Sequence, residues 1–286
     1  MRKILRVLTL AIAAYVALLL LLFFAQRKLI YLPWRASESA VLQAAQVAHL
    51  EPWRNAKNEI IGWRAPRRVG TPEPANRLVV FHGNAGYALL RTHFVEGFSP
   101  LGGGALWDVL LFEYPGFGAR GGSTGEASFI KAATEALEEL SSDARPIYLL
   151  GESLGSGLAS ALAQRMPEKI AGVFLLTPYA SLAEVAGHHY RFVPVRLILR
   201  DRWDNLSALR EFRGPLAVML AENDEVIPAQ QARRIFELAR EPKRLWVQRG
   251  ASHNTIDFDP AAPWWREVSE FLLQARAARE ANAGSK

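Results

Sequence analysis

The stretch that most constrains this chain is Gly151-Glu152-Ser153-Leu154-Gly155, because of what stands on either side of it. Ile147-Tyr148-Leu149-Leu150 precedes it, a short apolar run without a breaker, which reads as a buried strand. Ser156 to Arg165 follows, rich in small residues and leucine, and reads as a helix packed close to that strand. A serine between a strand and a helix of this kind sits on a tight, strained turn that lifts its hydroxyl clear of the sheet. Side chains two positions to either side would collide with the turn, and Gly151 and Gly155 carry none. The following helix aims its N-terminal amides at the point where an oxyanion would form. A bare Gly-x-Ser-x-Gly arises by chance in many chains, and a glycine-rich turn with an ordinary hydroxyl is the bland alternative.

Strands and helices alternate through the rest of the chain. Glu59–Arg64, Arg77–Phe81, Asp108–Tyr114, Ala171–Leu176, Leu216–Leu220 and Arg244–Val247 read as strands. Ser37–Leu50, Tyr87–Phe98, Glu126–Leu140, Ala229–Ala239 and Pro263–Ala278 read as helices, and Glu126–Leu140 gathers Phe129, Ala133, Ala136, Leu137 and Leu140 on one face. The alternation predicts one α/β domain built on a doubly wound, mostly parallel sheet with helices on both faces. The Pro-rich stretch from Val69 to Asn76 is expected to be a hairpin connection, and Ser181 to Phe212 a longer irregular and helical insertion. With 286 residues, half of them apolar, such a domain can enclose a sizeable core. The absence of cysteine excludes disulfides, thiolate metal sites and a cysteine nucleophile.

The net charge of +6 is confined to one end. Arg2, Lys3, Arg6, Arg27, Lys28 and Arg35 lie within the first 35 residues, where no acidic residue occurs; without them, 28 basic residues face 28 acidic ones. The body is therefore neutral, with no basic stripe for a nucleic-acid partner. Between those charges, Val7 to Ala25 is apolar apart from Thr9 and Tyr15, long enough to span a bilayer as a helix. A cleaved signal peptide is the rival reading. The run is longer than a usual signal core and ends in Phe23-Phe24-Ala25-Gln26-Arg27-Lys28 without a small-x-small cleavage site, which favours an uncleaved signal anchor over residues 1–28. The basic flanks are matched, three to a side. A short basic tail retained in the cytoplasm would place residues 29–286 on the outer, periplasmic side.

If Ser153 is a nucleophile, an acid and then a histidine should follow on loops after later strands. Asp224 lies in Ala221-Glu222-Asn223-Asp224-Glu225-Val226-Ile227-Pro228, and His253 in Gln248-Arg249-Gly250-Ala251-Ser252-His253-Asn254. His253 would take the proton from Ser153, and Asp224 would orient the imidazole. Glu222 and Glu225 read as solvated loop charges, Glu222 being the first rival for the acid role, while Asp257 and Asp259 lie too close after His253 to orient it easily. The oxyanion hole would use the backbone amides of Leu154 and Asn84, with Gly83 and Gly86 letting the second loop approach closely. His82 reads as a structural group beneath that loop, and His49, His93, His188 and His189 as surface or packing residues. Gly116-Phe117-Gly118-Ala119-Arg120-Gly121 mimics a dinucleotide fingerprint, but no helix opens on it. It is expected to be a tight loop exposing Tyr114 near the site.

His82-Gly83-Asn84-Ala85-Gly86, Tyr114-Pro115-Gly116-Phe117-Gly118, Gly151–Gly155, Asn223-Asp224-x-x-Ile227-Pro228 and Ser252-His253-Asn254, in this order and spacing, resemble the α/β-hydrolase superfamily. The likeness is strongest to its membrane-anchored, bud-emergence-type (serine aminopeptidase-like) branch and covers roughly residues 30 to 275. It implies an α/β-hydrolase fold with an eight-stranded sheet and a small cap over residues 181–213, and an N-terminal anchor is usual in that branch. The expected activity is that of a membrane-anchored serine hydrolase cleaving an acyl ester, thioester or amide through an acyl-enzyme, with neither metal nor organic cofactor. Its substrate would be a small molecule, a lipid or an acyl-protein. A peptidase is less favoured, since nothing marks a site for a peptide terminus. The rival from another class is a catalytically inactive hydrolase-fold scaffold at the membrane, which predicts a broken triad, whereas all three residues are present.

Overall fold

Alternating β-branched and aromatic runs become the strands of one twisted sheet, and the intervening amphipathic stretches cover its two faces. The structure is a computed structural model that describes residues 1–66 and 73–284. Its apolar N-terminal run forms α1 (Arg2–Ile30), followed by a two-residue strand β1 (Leu32–Pro33) and by α2 (Glu38–Val47), whose first turn is capped by Ser37. Next come β2 (Glu51–Arg54), β3 (Ile60–Arg64), β4 (Asn76–Phe81), the short β5 (Ala85–Gly86), α3 (Thr92–Phe98) and β6 (Trp107–Phe112). The centre is α4 (Glu126–Leu140), β7 (Ile147–Glu152), α5 (Leu154–Arg165) and β8 (Ile170–Leu176). An insertion then carries α6 (Leu182–His189), α7 (Val195–Ile198) and α8 (Asn205–Leu209). The chain closes with β9 (Leu216–Ala221), α9 (Ala229–Leu238), β10 (Lys243–Gln248) and α10 (Trp264–Gly284).

Eight strands pair in the order β10-β9-β8-β7-β4-β6-β3-β2. From β10 to β6 every pair is parallel, and β3 and β2 are antiparallel at one edge. Residue alternation divides the core between the two faces. Val79, Phe81, Leu110, Phe112 and Leu149 look toward Phe129, Leu158 and Ile235 of α4, α5 and α9. Leu78, Val80, Val109, Leu111 and Leu150 look toward Val41, Phe94 and Val268 of α2, α3 and α10.

Two sequence expectations are corrected here. The Pro-rich connection is not a hairpin, because it joins β3 to β4 and β6 lies between them in the sheet; its residues 69–72 fall outside the described ones. The hairpin at this edge is β2–β3. Nothing in the pattern of Glu51-Pro52-Trp53-Arg54 announces β2, since a proline is tolerated in a strand only where its missing N–H faces outward, at an edge. Nor does the Gly116–Gly121 loop expose Tyr114. That side chain is buried, stacked on Phe129 with ring centroids 4.5 Å apart, and its hydroxyl donates to the His82 carbonyl at 2.6 Å.

α1 is long and apolar enough to cross a membrane, with a mean hydropathy of 2.8, and none of its apolar window is buried in the protein. Its last turns are held differently. Arg27 pairs with both oxygens of Asp201 at 2.9 and 2.8 Å, and the Tyr31 hydroxyl donates to Asp201 at 3.0 Å. Trp203 Nε1 donates in turn to the Tyr31 oxygen at 2.9 Å. The insertion is thus bolted to the end of the helix.

Candidate active site

β7 ends in the middle of the sheet, and the chain must reverse at once into α5. The turn is made by Ser153, whose φ of +50° and ψ of −113° are strained for a residue with a side chain. Its neighbours explain how the strain is held. A Cβ on Gly155 would stand 2.0 Å from the Phe81 carbonyl oxygen of β4, and one on Gly151 would stand 2.6 Å from the Gly155 carbonyl oxygen. The Ser153 amide donates to the Leu176 carbonyl at 2.9 Å, and its carbonyl accepts from the Ser156 hydroxyl at 2.6 Å. Both sides of the turn are therefore fixed.

The loops after β9 and β10, parallel neighbours in the sheet, bring the other two residues to the same edge. His253 Nε2 lies 3.1 Å from Ser153 Oγ, and its Nδ1 lies 2.8 Å from Asp224 Oδ2. The arrangement suits an Nδ1–H that donates to the carboxylate and a serine hydroxyl that donates to Nε2. Asp224 is aimed by its own loop, for its Oδ1 accepts the amides of Val226 at 2.9 Å and Ile227 at 2.7 Å. The rival Glu222 is turned away and accepts the Gly250 amide at 2.9 Å, while Glu225 accepts the His253 amide at 3.3 Å. Both glutamates brace the histidine loop through backbone amides, and it is Asp224 that bonds the imidazole.

Asn84 follows β4 on the facing loop. Its carbonyl accepts from the Leu32 amide at 3.0 Å and its side chain donates to the Ile30 carbonyl at 3.1 Å. β1 and β5 pair in parallel, Leu32 with Ala85 and Pro33 with Gly86. The segment leaving α1 therefore acts as a strap that fixes the peptide of Asn84. His82 lies beneath, buried, with Nδ1 donating to the Gly83 carbonyl at 2.7 Å. The sequence, in which Leu29 to Trp34 reads only as an interfacial or edge segment, does not show that this strap pairs beside Asn84, nor does it show a second brace. Glu152, one residue before Ser153, forms an ion pair with Arg91 just before α3 and accepts from the Gly83 amide at 3.4 Å. Burial opposes the ionised form of Glu152, and the Arg91 guanidinium overcomes it and holds the carboxyl below its ordinary range. Among the described residues, no group of three or more His, Asp or Glu is placed to hold a metal ion.

The fold and this edge define a member of the α/β-hydrolase superfamily. A family model described as the alpha/beta hydrolase fold matches residues 76–194. Along nearly its whole length the chain is similar to the uncharacterised protein Rv2307c of Mycobacterium tuberculosis, 34% identical over 92% of this chain and 94% of that one. It is also similar to lysophosphatidylserine lipase ABHD12 of Danio rerio, 25% identical over 68% of this chain but only 54% of that one. Among solved structures, the Pyrococcus furiosus esterase Pf2001 superposes with a TM-score of 0.63 at 18% identity, covering 86% of this chain and 98% of the esterase. The chain belongs to the α/β-hydrolase superfamily.

Proposed function

We propose that this protein is a membrane-anchored serine hydrolase that cleaves an acyl ester, thioester or amide through an acyl-enzyme. The observation that carries the reading is the unbroken chain of contacts from Ser153 through His253 to Asp224, 3.1 and 2.8 Å. Ser153 Oγ attacks the acyl carbon while His253 Nε2 takes its proton, and Asp224 stabilises the imidazolium that results. The carbonyl oxygen, now an oxyanion, is held by the amides of Leu154, first in α5, and Asn84. His253 returns the proton to the leaving group, and water then releases the acyl chain by the same steps in reverse. In this reading residues 1–28 are the anchor, residues 29–286 the catalytic domain on the outer side, and residues 181–213 a cap over the site. The lipase name carried by ABHD12 and the apolar α1 both favour an acyl substrate presented at a lipid surface.

A fluorophosphonate probe tests the reading. The protein should label, and Ser153→Ala and His253→Ala should not. Folded protein that fails to label would refute the assignment and leave the inactive scaffold as the better account.

A further inference from the structure

The insertion touches α1 along far more of its length than a tether needs. The Tyr15 hydroxyl donates to the Phe192 carbonyl at 2.7 Å. Eleven residues later, Gln26 donates to the Ile198 carbonyl at 3.0 Å and accepts the Arg200 amide at 2.7 Å. Arg200 also lies over the Phe23 ring, 5.5 Å from its centroid, within reach of a cation–π contact. Residues 192–200 thus run beside the helix from the level of Tyr15 to that of Gln26. At 1.5 Å per residue this is about 16 Å, roughly one leaflet of hydrocarbon.

The exposed side of the same segment has the composition of a lipid-contacting element. Phe192 is 89% exposed, Leu197 83% and Tyr190 62%. Between Val185 and Arg200 there is no acidic residue, while Arg191, Arg196 and Arg200 are exposed and able to reach head-group phosphates. The segment also borders the site, because His189 Nε2 lies 2.8 Å from the Val226 carbonyl, on the loop of Asp224.

We propose that residues 190–198 are a second membrane element, inserted beside α1 into the leaflet nearest the catalytic domain, so that the mouth of the site faces lipid. This rests on the anchor reading above. If α1 spans the bilayer, Phe192 cannot remain at the level of Tyr15 without entering the leaflet with it. The substrate would then reach Ser153 sideways from the membrane, as a lipid-borne acyl ester, instead of from water.

The absence of cysteine makes the test clean, since one introduced cysteine gives one label. The full-length variants Phe192→Cys, Leu8→Cys and Leu238→Cys carry an environment-sensitive fluorophore in vesicles of phosphatidylcholine and phosphatidylglycerol. Leu8 reports the anchor, and Leu238, at the end of α9 and 62% exposed, reports the body. The labels at residues 8 and 192 should lose most of their emission to nitroxide-bearing lipid and shift to the blue, and the label at residue 238 should yield only to aqueous iodide. Lipid quenching at residue 8 with iodide quenching at residue 192 would overturn the cap insertion and leave the anchor standing. Protection of residue 192 from both quenchers would overturn it in favour of a second copy covering the cap. A residue-8 label unquenched by lipid would overturn both readings.

Discussion

Three acids lie within four residues of one another on the loop after β9, and only their directions separate them. Asp224 reaches the imidazole while two backbone amides hold its second oxygen, so Asp224→Asn should keep the fold and supply the wrong hydrogen-bonding partner. Its kcat should fall on the order of 10⁴-fold, as for a triad left with the wrong tautomer. Glu222→Gln should retain kcat within about tenfold, because Glu222 braces a turn and touches no reacting group. Ester hydrolysis by the two variants, measured side by side, checks the assignment. His93 carries a different prediction. Its ring packs 4.1 Å from that of Phe258, and burial lowers its pKa to about 4, with the nearby Glu152 opposing and Arg91 adding to the effect. The folded form binds this proton more weakly than the unfolded chain, so its contribution to stability is present above about pH 6.5 and is lost as pH falls toward 4. The full difference is about 3 kcal/mol, an upper figure for a ring that is not wholly enclosed. Melting temperatures of His93→Phe should therefore fall less steeply than those of the parent between pH 6.5 and 4.

The elements that hold the site divide into those a local pattern can announce and those it cannot. β7, the strained serine and α5 were readable because the reversal demands glycine at 151 and 155, and the clash with Phe81 shows why. Asp224 and His253 were readable because each follows a short apolar strand at its carboxyl end. Arg91 and the β1 strap were not, for their partners lie 61 and about fifty residues away, at Glu152 and at Asn84, and neither carries a local signature. Tyr114 was misjudged for the same reason: glycines around a loop show that backbone comes close to something, without showing that the thing is Phe129. The strap gives a prediction at this scale. Asn84→Ala keeps the proposed oxyanion amide but loses the bond to Ile30, so kcat should drop roughly tenfold with KM little changed, the signature of a mispositioned donor. At the other end of the strap, Arg27→Leu strands the buried Asp201. It should cost about 1–3 kcal/mol, below the range for a wholly buried pair because Arg27 is 35% exposed. Adding Asp201→Leu should restore part of that loss in thermal melts.

Taken as one molecule, the apolar helix and the hydrolase-fold domain overlap in sequence. α1 runs unbroken to Ile30, yet Gln26 and Arg27 already bond the insertion, and Tyr31 is 1% exposed within the core beside Phe129, with rings 5.2 Å apart. The helix therefore has an exposed N-terminal part, a middle that runs beside residues 192–200, and a last turn that belongs to the domain. Where the chain is cut should decide what is lost. Removing residues 2–18 takes away most of the apolar run and the hydrogen bond of Tyr15 to Phe192, and leaves Gln26, Arg27, Tyr31 and β1 in place. That form should melt cooperatively and label with fluorophosphonate, while holding vesicles more weakly than the full chain. Removing residues 2–34 deletes the Asp201 clamp, a buried tyrosine and the strand that fixes the Asn84 loop. Burying the Tyr31 ring alone contributes a few kcal/mol, a large share of the stability of an ordinary domain. The longer deletion should therefore give aggregated or unlabelled protein even in detergent, and full labelling by it would show that the domain begins after the strap instead of within the helix.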